Sequence, residues 1–211
     1  VENHRKSNSP KKDAIQTAIE LTTTEWIIST DADCIVPANW LLIFNENINN
    51  YNPKMICGSV LYQSKNNLWE QFQLFDLLSL QGVTIGSFGH QKAFMCNGAN
   101  LAYQKSFFNQ LNGFNNNDNL ASGDDVFLLQ KAVAIEPENV HYILNNEHTV
   151  YTYPEKNWTA LLNQRIRWAA KSTQYIQHHA KFIGVIVLLT NLSFIASILN
   201  YLNTAGIWYL M

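Results

Sequence analysis

The sequence is poor in charged residues, and its charge is not biased strongly to one sign. Charged residues make up 14% of the 211 residues, against roughly 25% in typical soluble domains, so we expect part of the surface not to face water. The net charge of −2 comes from 14 basic and 16 acidic residues. This balance argues against a nucleic-acid-binding protein, which needs a basic surface for the phosphates.

Cysteine is also scarce: Cys34, Cys57 and Cys96 are widely spaced and form no CxxC pair. This pattern predicts neither a zinc site nor a disulfide framework, and it favours a reducing, cytosolic environment. The chain shows no signal peptide at Val1 and ends at Met211 inside an apolar run. We therefore expect it to be a fragment of a longer protein.

Residues 182–211 contain no charged side chain. A bilayer requires about 20 apolar residues, so this run predicts a transmembrane segment. Lys171 and Lys181 precede it, and the positive-inside rule then places the preceding domain on the cytoplasmic side of the inner membrane. The alternative is a buried helical hairpin of a soluble protein.

Before this run, helical and strand patterns alternate, which predicts an α/β domain over residues 1–156. In such sheets, ligands bind at the carboxyl ends of the strands. The predicted strands are 26–30, 55–62, 94–103, 140–143 and 149–153. The first predicted helix begins at Pro10, and the others cover 37–50, 68–81, 106–111, 122–134 and 157–181. A glycine-containing loop is predicted over 82–90.

Two acidic pairs are candidate functional residues. Asp31 and Asp33 follow the first strand, where two carboxylates can hold a hard divalent cation together with substrate phosphates. Asp124 and Asp125 open a helix, whose dipole favours negative charge, and one of them is a candidate general base. The alternatives are a solvated turn at the first pair and a helix cap, by Ser122 or Asp124, at the second.

Two basic motifs complete the set of candidates. Gln164 and Arg167 lie three apart on one helix face, with Trp168 beside them. They suit a phosphate and a sugar ring, or equally a helix at a membrane surface whose arginines extend towards the lipid headgroups. Lys11 and Lys12 lie at the front of the first helix and are either diphosphate ligands or a solvated pair.

The order of these motifs resembles glycosyltransferase family 2, in its membrane-associated branch related to cellulose and hyaluronan synthases. The motifs are KKDAIQTAI, DADC, CNGANLAY, SGDD and QRIRW, followed by the apolar run, and they cover nearly the whole chain. The resemblance implies a GT-A fold, the Rossmann-like fold of nucleotide-diphospho-sugar transferases, without its N-terminal strands, which would precede residue 1. It further implies an interfacial helix over 157–181 and a transmembrane region over 182–211.

The resemblance also implies roles for individual residues. Asp31 would approach the nucleotide-sugar, Asp33 would ligate Mg²⁺ or Mn²⁺, and Asp125 would be the catalytic base, with Asp124 in place of a more usual glutamate. The other implied contacts are Lys11, Lys12, Gln164 and Arg167 with the donor diphosphate, and Trp168, Asn97, Gly98 and Asn100 with the acceptor.

The implied activity is that of an inverting hexosyl- or N-acetylhexosaminyltransferase at the cytoplasmic membrane face. Its partners would be a nucleotide-sugar donor, a carbohydrate or lipid-linked acceptor and the lipid bilayer, with no nucleic acid. Two alternatives stay open: a non-catalytic membrane subunit with the same fold, and a metal-dependent nucleotidyl- or phosphotransferase.

Overall fold

The computed structural model describes residues 9–65, 67–115, 123–172, 175 and 177–208. The chain divides into two compact units, Val1–Arg167 and Trp168–Met211. The first unit mixes helices and strands, and the second is helical. The mixed α/β class predicted from the sequence is confirmed, and it fits a GT-A-like domain. The finer division at residues 156 and 181 stays a prediction.

Strands and helices are interspersed along the described chain. The strands are β1 (Trp26–Ser29), β2 (Met55–Gly58), β3 (Val60–Tyr62), β4 (Leu101–Gln104), β5 (Val140–Ile143) and β6 (Val150–Thr152). The helices are α1 (Pro10–Leu21), α2 (Trp40–Tyr51), α3 (Leu68–Gly89), α4 (Lys105–Gln110), α5 (Asp124–Ile135), α6 (Trp158–Ser172) and α7 (His178–Trp208). Short 3₁₀ turns occur at Gly98–Asn100, Pro137–Asn139 and Asn146–His148.

The main sheet has the strand order β1-β4-β2-β5. β4 runs antiparallel to both of its neighbours, and β2 runs parallel to β5. Ser29, the last residue of β1, pairs with Leu101, the first residue of β4. Because of this register, the segment after β1 and the 3₁₀ turn before β4 lie at the same end of these two strands. β3 and β6 form a separate parallel pair.

The hydrophobic core lies on both faces of the main sheet. Met55 and Cys57 of β2 point into one cluster, and Ile56 between them points into the other. This alternation follows from the two-residue period of a strand. The first cluster contains Tyr103, Phe107, Phe108 and Leu129, and the second contains Trp40, Phe44, Ala102 and Val150.

The structure corrects two of the predicted strands. The apolar run 55–62 is divided at Ser59 into β2 and β3, which belong to different sheets. Within 94–103, only the residues from Leu101 onwards form a strand, because Gly98–Asn100 is a 3₁₀ turn. Both runs are apolar because they are buried, and burial alone does not require continuous pairing with one neighbour.

The predicted loop over 82–90 is wrong, because α3 continues through its glycines to Gly89. Thr84 and Ser87 are buried, and their hydroxyls donate to the carbonyls of Leu80 and Thr84 within the helix. Phe88 packs against the core. This packing offsets the cost of about 1 kcal/mol that each glycine imposes on a helix interior.

The predicted helix over 157–181 is also wrong in its extent, because α6 ends at Ser172 and α7 begins at His178. The stretch His178–Tyr201 of α7 is long and apolar enough to cross a membrane. Its Thr190 and Asn191 side chains donate to the carbonyls of Ile186 and Val187 one turn earlier. Such internal hydrogen bonds reduce the cost of polar side chains in an apolar environment.

Candidate active site

Lys11, in the first turn of α1, contacts two carboxylates that are remote from it in the sequence. Its Nζ lies 3.1 Å from Oδ1 of Asp31 and 3.3 Å from Oδ2 of Asp124. Asp31 comes two residues after β1, and Asp124 is the first residue of α5. One ammonium group therefore joins both of the acidic pairs that the sequence singled out.

The charge of Lys11 is stabilised by these neighbours. Partial burial lowers the pKa of Lys11, but the negative charges of Asp124 and Asp31 outweigh this and raise the pKa above its usual value. The lysine side chain is half exposed, and that of Asp124 is mostly buried. The group thus presents a permanent cation that an anionic ligand can reach.

Asp125 is held by backbone groups on both sides. The N–H of Gly98 donates to Oδ2 of Asp125 at 3.0 Å, and the N–H of Val126 donates to Oδ1 at 2.8 Å. The carbonyl of Gly98 accepts a hydrogen bond from the Ser29 hydroxyl at 2.8 Å. The 3₁₀ turn thus connects Asp125 to the end of β1, and a Cβ on Gly98 would lie 3.3 Å from the Cβ of Asp125.

The start of α5 fixes where the second acidic pair projects. Gly123 precedes the helix with a φ of +91°, and a Cβ there would lie 2.6 Å from the Phe127 ring. Glycine adopts this left-handed conformation without the strain that a side chain would bring. Asp124 and Asp125 then occupy the first turn, where the helix dipole favours carboxylates. Ser122, the predicted alternative cap, lies outside the described residues.

Lys12 and Asn97 are sequence neighbours of Lys11 and Gly98. Lys12 is almost fully buried, so the alternative of a solvated lysine pair does not hold. The side chain of Asn97 accepts from the N–H of Ala99 and so caps the 3₁₀ turn.

Asn100, which the resemblance assigns to the acceptor side, is fully buried. Its Nδ2 donates to the carbonyls of Ser59 and His148, each at 2.9 Å. Its Oδ1 accepts from Nε1 of Trp40 at 2.9 Å. With these three hydrogen bonds made inside the core, the side chain holds the 3₁₀ turn in place.

Gln164 belongs to a second group of contacts, between α6, β3 and the segment that precedes α6. Its Nε2 donates to Oε1 of Glu155 at 3.0 Å, and its Oε1 accepts from the hydroxyl of Tyr62 at 3.2 Å. Arg167 is exposed on the same helix. Trp168 lies in the second unit. The structure thus gives contacts for Gln164 and leaves the roles of Arg167 and Trp168 as predictions.

The family model described as "Glycosyl transferase family group 2" matches residues 26–211. This range includes most of the chain, both acidic pairs and the QRIRW segment. The chain belongs to this glycosyltransferase family. Comparison with curated proteins gives no match. Membership supports glycosyltransferase activity in general, with a nucleotide-sugar donor and a carbohydrate acceptor.

The sequence predicts that Asp33 ligates Mg²⁺ or Mn²⁺. Among the described residues, no group of three or more His, Cys, Asp or Glu side chains could hold a metal ion. Asp33 is exposed, and Asp31 is partly exposed. Hard carboxylate oxygens with this accessibility fit a cation that takes one or two protein ligands and completes its shell with phosphates and water. They do not form a cage for a cation alone.

Sequence reasoning missed several residues of this glycosyltransferase domain. Arg165, one of the arginines of the helix predicted to lie at a membrane surface, forms an ion pair with Asp76 of α3. His148 is fully buried against the Asn100 side chain and the Phe44 ring. A Cβ on Gly58 would lie 2.4 Å from Nδ2 of Asn100. None of these has a local sequence signal, because each is defined by a partner far along the chain.

Proposed function

We propose that the chain is the catalytic part of an inverting glycosyltransferase that is anchored in a membrane. The single observation that carries this proposal is the meeting of Lys11, Asp31 and Asp124 beside the Asp125–Gly98 hydrogen bond. Family membership supports sugar transfer. This geometry supports separate roles for the Lys11 cation and for Asp125 as a base held in a fixed direction.

Asp125 is the proposed base. It would take the proton of an acceptor hydroxyl while that oxygen attacks the anomeric carbon of the donor sugar. The bond from the anomeric carbon to the diphosphate breaks on the opposite face, which inverts the configuration and releases the nucleoside diphosphate. The two backbone N–H groups that donate to Asp125 fix its direction, as a base in line with the attack requires.

Lys11 is the proposed partner of the departing diphosphate. Its ammonium group is charged and half exposed, so it can offset the negative charge that develops on the leaving group. Asp31 would approach the nucleotide-sugar, and Gln164 and Arg167 are assigned to the diphosphate by resemblance. Asp33 would hold Mg²⁺ or Mn²⁺, which supplies further neutralisation of the diphosphate when bound.

The proposed acceptor is a hydroxyl of a carbohydrate or a lipid-linked sugar, and the donor carries a hexose or an N-acetylhexosamine. Trp168, Asn97 and Gly98 are assigned to the acceptor side by resemblance. We further propose that α7 crosses the inner membrane, with the catalytic domain on the cytoplasmic side, because its span is long and apolar and Lys171 and Lys181 precede residue 182.

The test uses the complete gene product in membranes. Release of nucleoside diphosphate is measured for a panel of UDP- and GDP-sugars with Mg²⁺ or Mn²⁺, for the wild type and for Asp125→Asn. Glu138→Gln, at an exposed acidic position, is the matched control. We expect release from one donor that chelation and Asp125→Asn abolish and that Glu138→Gln leaves unchanged.

Three other outcomes would contradict the proposal. If Asp125→Asn released nucleoside diphosphate as fast as the wild type, Asp125 would not be the catalytic base. A nucleotidylated or phosphorylated product would indicate a nucleotidyl- or phosphotransferase. Neither release nor nucleotide binding by a folded protein would indicate a non-catalytic subunit.

A further inference from the structure

A cavity of about 670 Å³ lies between α2, the end of α3 and strand β5. α2 packs on one face of the main sheet through Phe44, and the end of α3 packs on the other face through Phe88. β5 is the last strand in the order β1-β4-β2-β5, so the cavity lies at an edge of the sheet. Its volume is within the range of about 300–1,000 Å³ that is usual for ligand pockets. It is called the β5-edge cavity below.

The β5-edge cavity is separate from the candidate active site. Asp31 follows β1, which stands at the other end of the strand order. Three strand spacings, about 14 Å in total, separate β1 from β5. A ligand in the cavity would therefore leave the position beside Lys11 and Asp31 open.

Two aromatic pairs line the cavity, one on each face of the sheet. The rings of Tyr51 and His141 are 5.7 Å apart, and those of Phe88 and Tyr142 are 4.9 Å apart. Because His141 and Tyr142 are successive strand residues, their side chains point to opposite faces. Tyr51 is 65% exposed, so its ring is open to a ligand. A large, rigid aromatic ring of this kind suits the C–H face of a sugar ring.

The polar side chains that α2 presents to the cavity are not used to hold the fold. Glu46 and Asn50 are four positions apart, as are Asn47 and Tyr51, so the four lie on one face of the helix. Within the described part of the chain, the side chains of Glu46, Asn47 and Asn50 form no hydrogen bond or ion pair. The Oδ1 of Asn47 is also buried, which costs free energy that a hydrogen bond from a ligand hydroxyl would recover.

The charge of the cavity indicates which ligands fit it. Among the described residues that line it, Glu46 is the one acidic residue, and none is a lysine or an arginine. A diphosphate needs cationic partners, so the cavity suits a ligand without phosphate. The hydroxyls of a neutral saccharide both donate and accept, as the amides of Asn47 and Asn50 do, and the Glu46 carboxylate accepts from hydroxyls.

We propose that the β5-edge cavity is a second carbohydrate site, which binds a neutral oligosaccharide apart from the site of transfer. Tyr51 packs against a sugar ring, and Glu46, Asn47 and Asn50 form hydrogen bonds with its hydroxyls. Binding at this site does not depend on the proposed sugar transfer. In a glycosyltransferase, the site would hold a carbohydrate chain at the enzyme surface and so raise its effective concentration near the active site.

The experiment measures binding to the complete gene product in phosphatidylcholine nanodiscs, which avoids detergents that carry sugars. Neutral tetrasaccharides of glucose and of N-acetylglucosamine are titrated and followed by saturation-transfer NMR. We expect at least one of them to bind. Tyr51→Ala should raise its Kd about tenfold through loss of the aromatic contact, and Asn50→Ala about three- to tenfold through loss of a hydrogen bond.

Two variants at exposed positions outside the cavity are matched controls. Tyr153→Ala and Asn109→Ala should bind the tetrasaccharide as the wild type does. Binding that Tyr51→Ala and Asn50→Ala leave unchanged would place the oligosaccharide elsewhere and overturn the inference, as would no binding of any tetrasaccharide.

Nucleoside diphosphate release, measured on the same samples, separates this inference from the proposed function. Release without tetrasaccharide binding would contradict the second site alone. Binding that Tyr51→Ala weakens, in a protein that releases no nucleoside diphosphate from any donor, would support the second site and contradict the proposed transfer.

Discussion

Gly98 donates its backbone N–H to Oδ2 of Asp125 at 3.0 Å, across 27 positions of sequence. The same glycine leaves room for the aspartate, because an added Cβ would lie 3.3 Å from Cβ and 3.4 Å from Oδ2 of Asp125. The direction of the proposed base therefore depends on a residue that has no side chain.

The first prediction concerns Gly98→Ala. The methyl group should push the Asp125 carboxylate away from its direction, and kcat for sugar transfer should fall about ten- to a hundredfold, because small misplacements of a reacting group are costly. The KM for the donor should change little. Steady-state kinetics of nucleoside diphosphate release give both values. Gly86→Ala is the control, since a Cβ there meets no atom within 4 Å; an equal loss in both variants would contradict the prediction.

The second prediction concerns the cation between the acidic pairs. Lys11→Met keeps most of the side-chain length and removes the charge, so the KM for the donor should rise about tenfold, the size expected for one charge-assisted hydrogen bond. Titration of UDP or GDP should show the same weakening. Lys92→Met, at an exposed position, should behave as wild type. Unchanged donor affinity in Lys11→Met would show that Lys11 serves only the carboxylates.

The third prediction concerns the glycines of α3. Gly82 and Gly86 are exposed within the helix, and an added Cβ meets nothing within 4 Å at either position. Replacement of each by alanine should stabilise the folded domain by about 1 kcal/mol, because alanine loses less backbone entropy in a helix. Thermal unfolding measures the change. A lower unfolding temperature for both variants would indicate that this part of α3 is not a regular helix.

The fourth prediction concerns pH and His148. Burial lowers the pKa of His148 to about 4, whereas an unfolded histidine has a pKa of about 6.5. Between these two pH values, the histidine is protonated in the unfolded state and neutral in the folded state. The free energy of unfolding is therefore unaffected by this group above pH 6.5 and falls as the pH is lowered towards 4. The loss should reach about 2 kcal/mol by pH 5.

Unfolding of the full chain at pH 7 and pH 5 measures this dependence. His148→Gln should flatten it even if the variant is less stable at pH 7. His90→Gln replaces an exposed histidine and should leave the dependence unchanged. The same slope in His148→Gln as in the wild type would assign the effect to other groups.

Local sequence signals predicted those elements that depend on nearby residues. Pro10 begins α1, and α4 is followed by Asn112 and Gly113, both with positive φ, as expected after a helix end. β1, β5 and the start of α5 also lie within a few residues of their predicted positions. In each case the capping residue, the turn residue or the apolar run lies in the segment itself.

The sequence by itself determined the order of motifs, the α/β class and the apolar helix at the end of the chain. The tertiary structure decided that Lys11 stands between Asp31 and Asp124, that Asn100 is buried, that α3 continues through its glycines and that Asp76 meets Arg165. Each of these depends on packing between segments that are far apart along the chain. Burial and electrostatic pairing at such contacts outweigh local preferences of about 1 kcal/mol or less per residue.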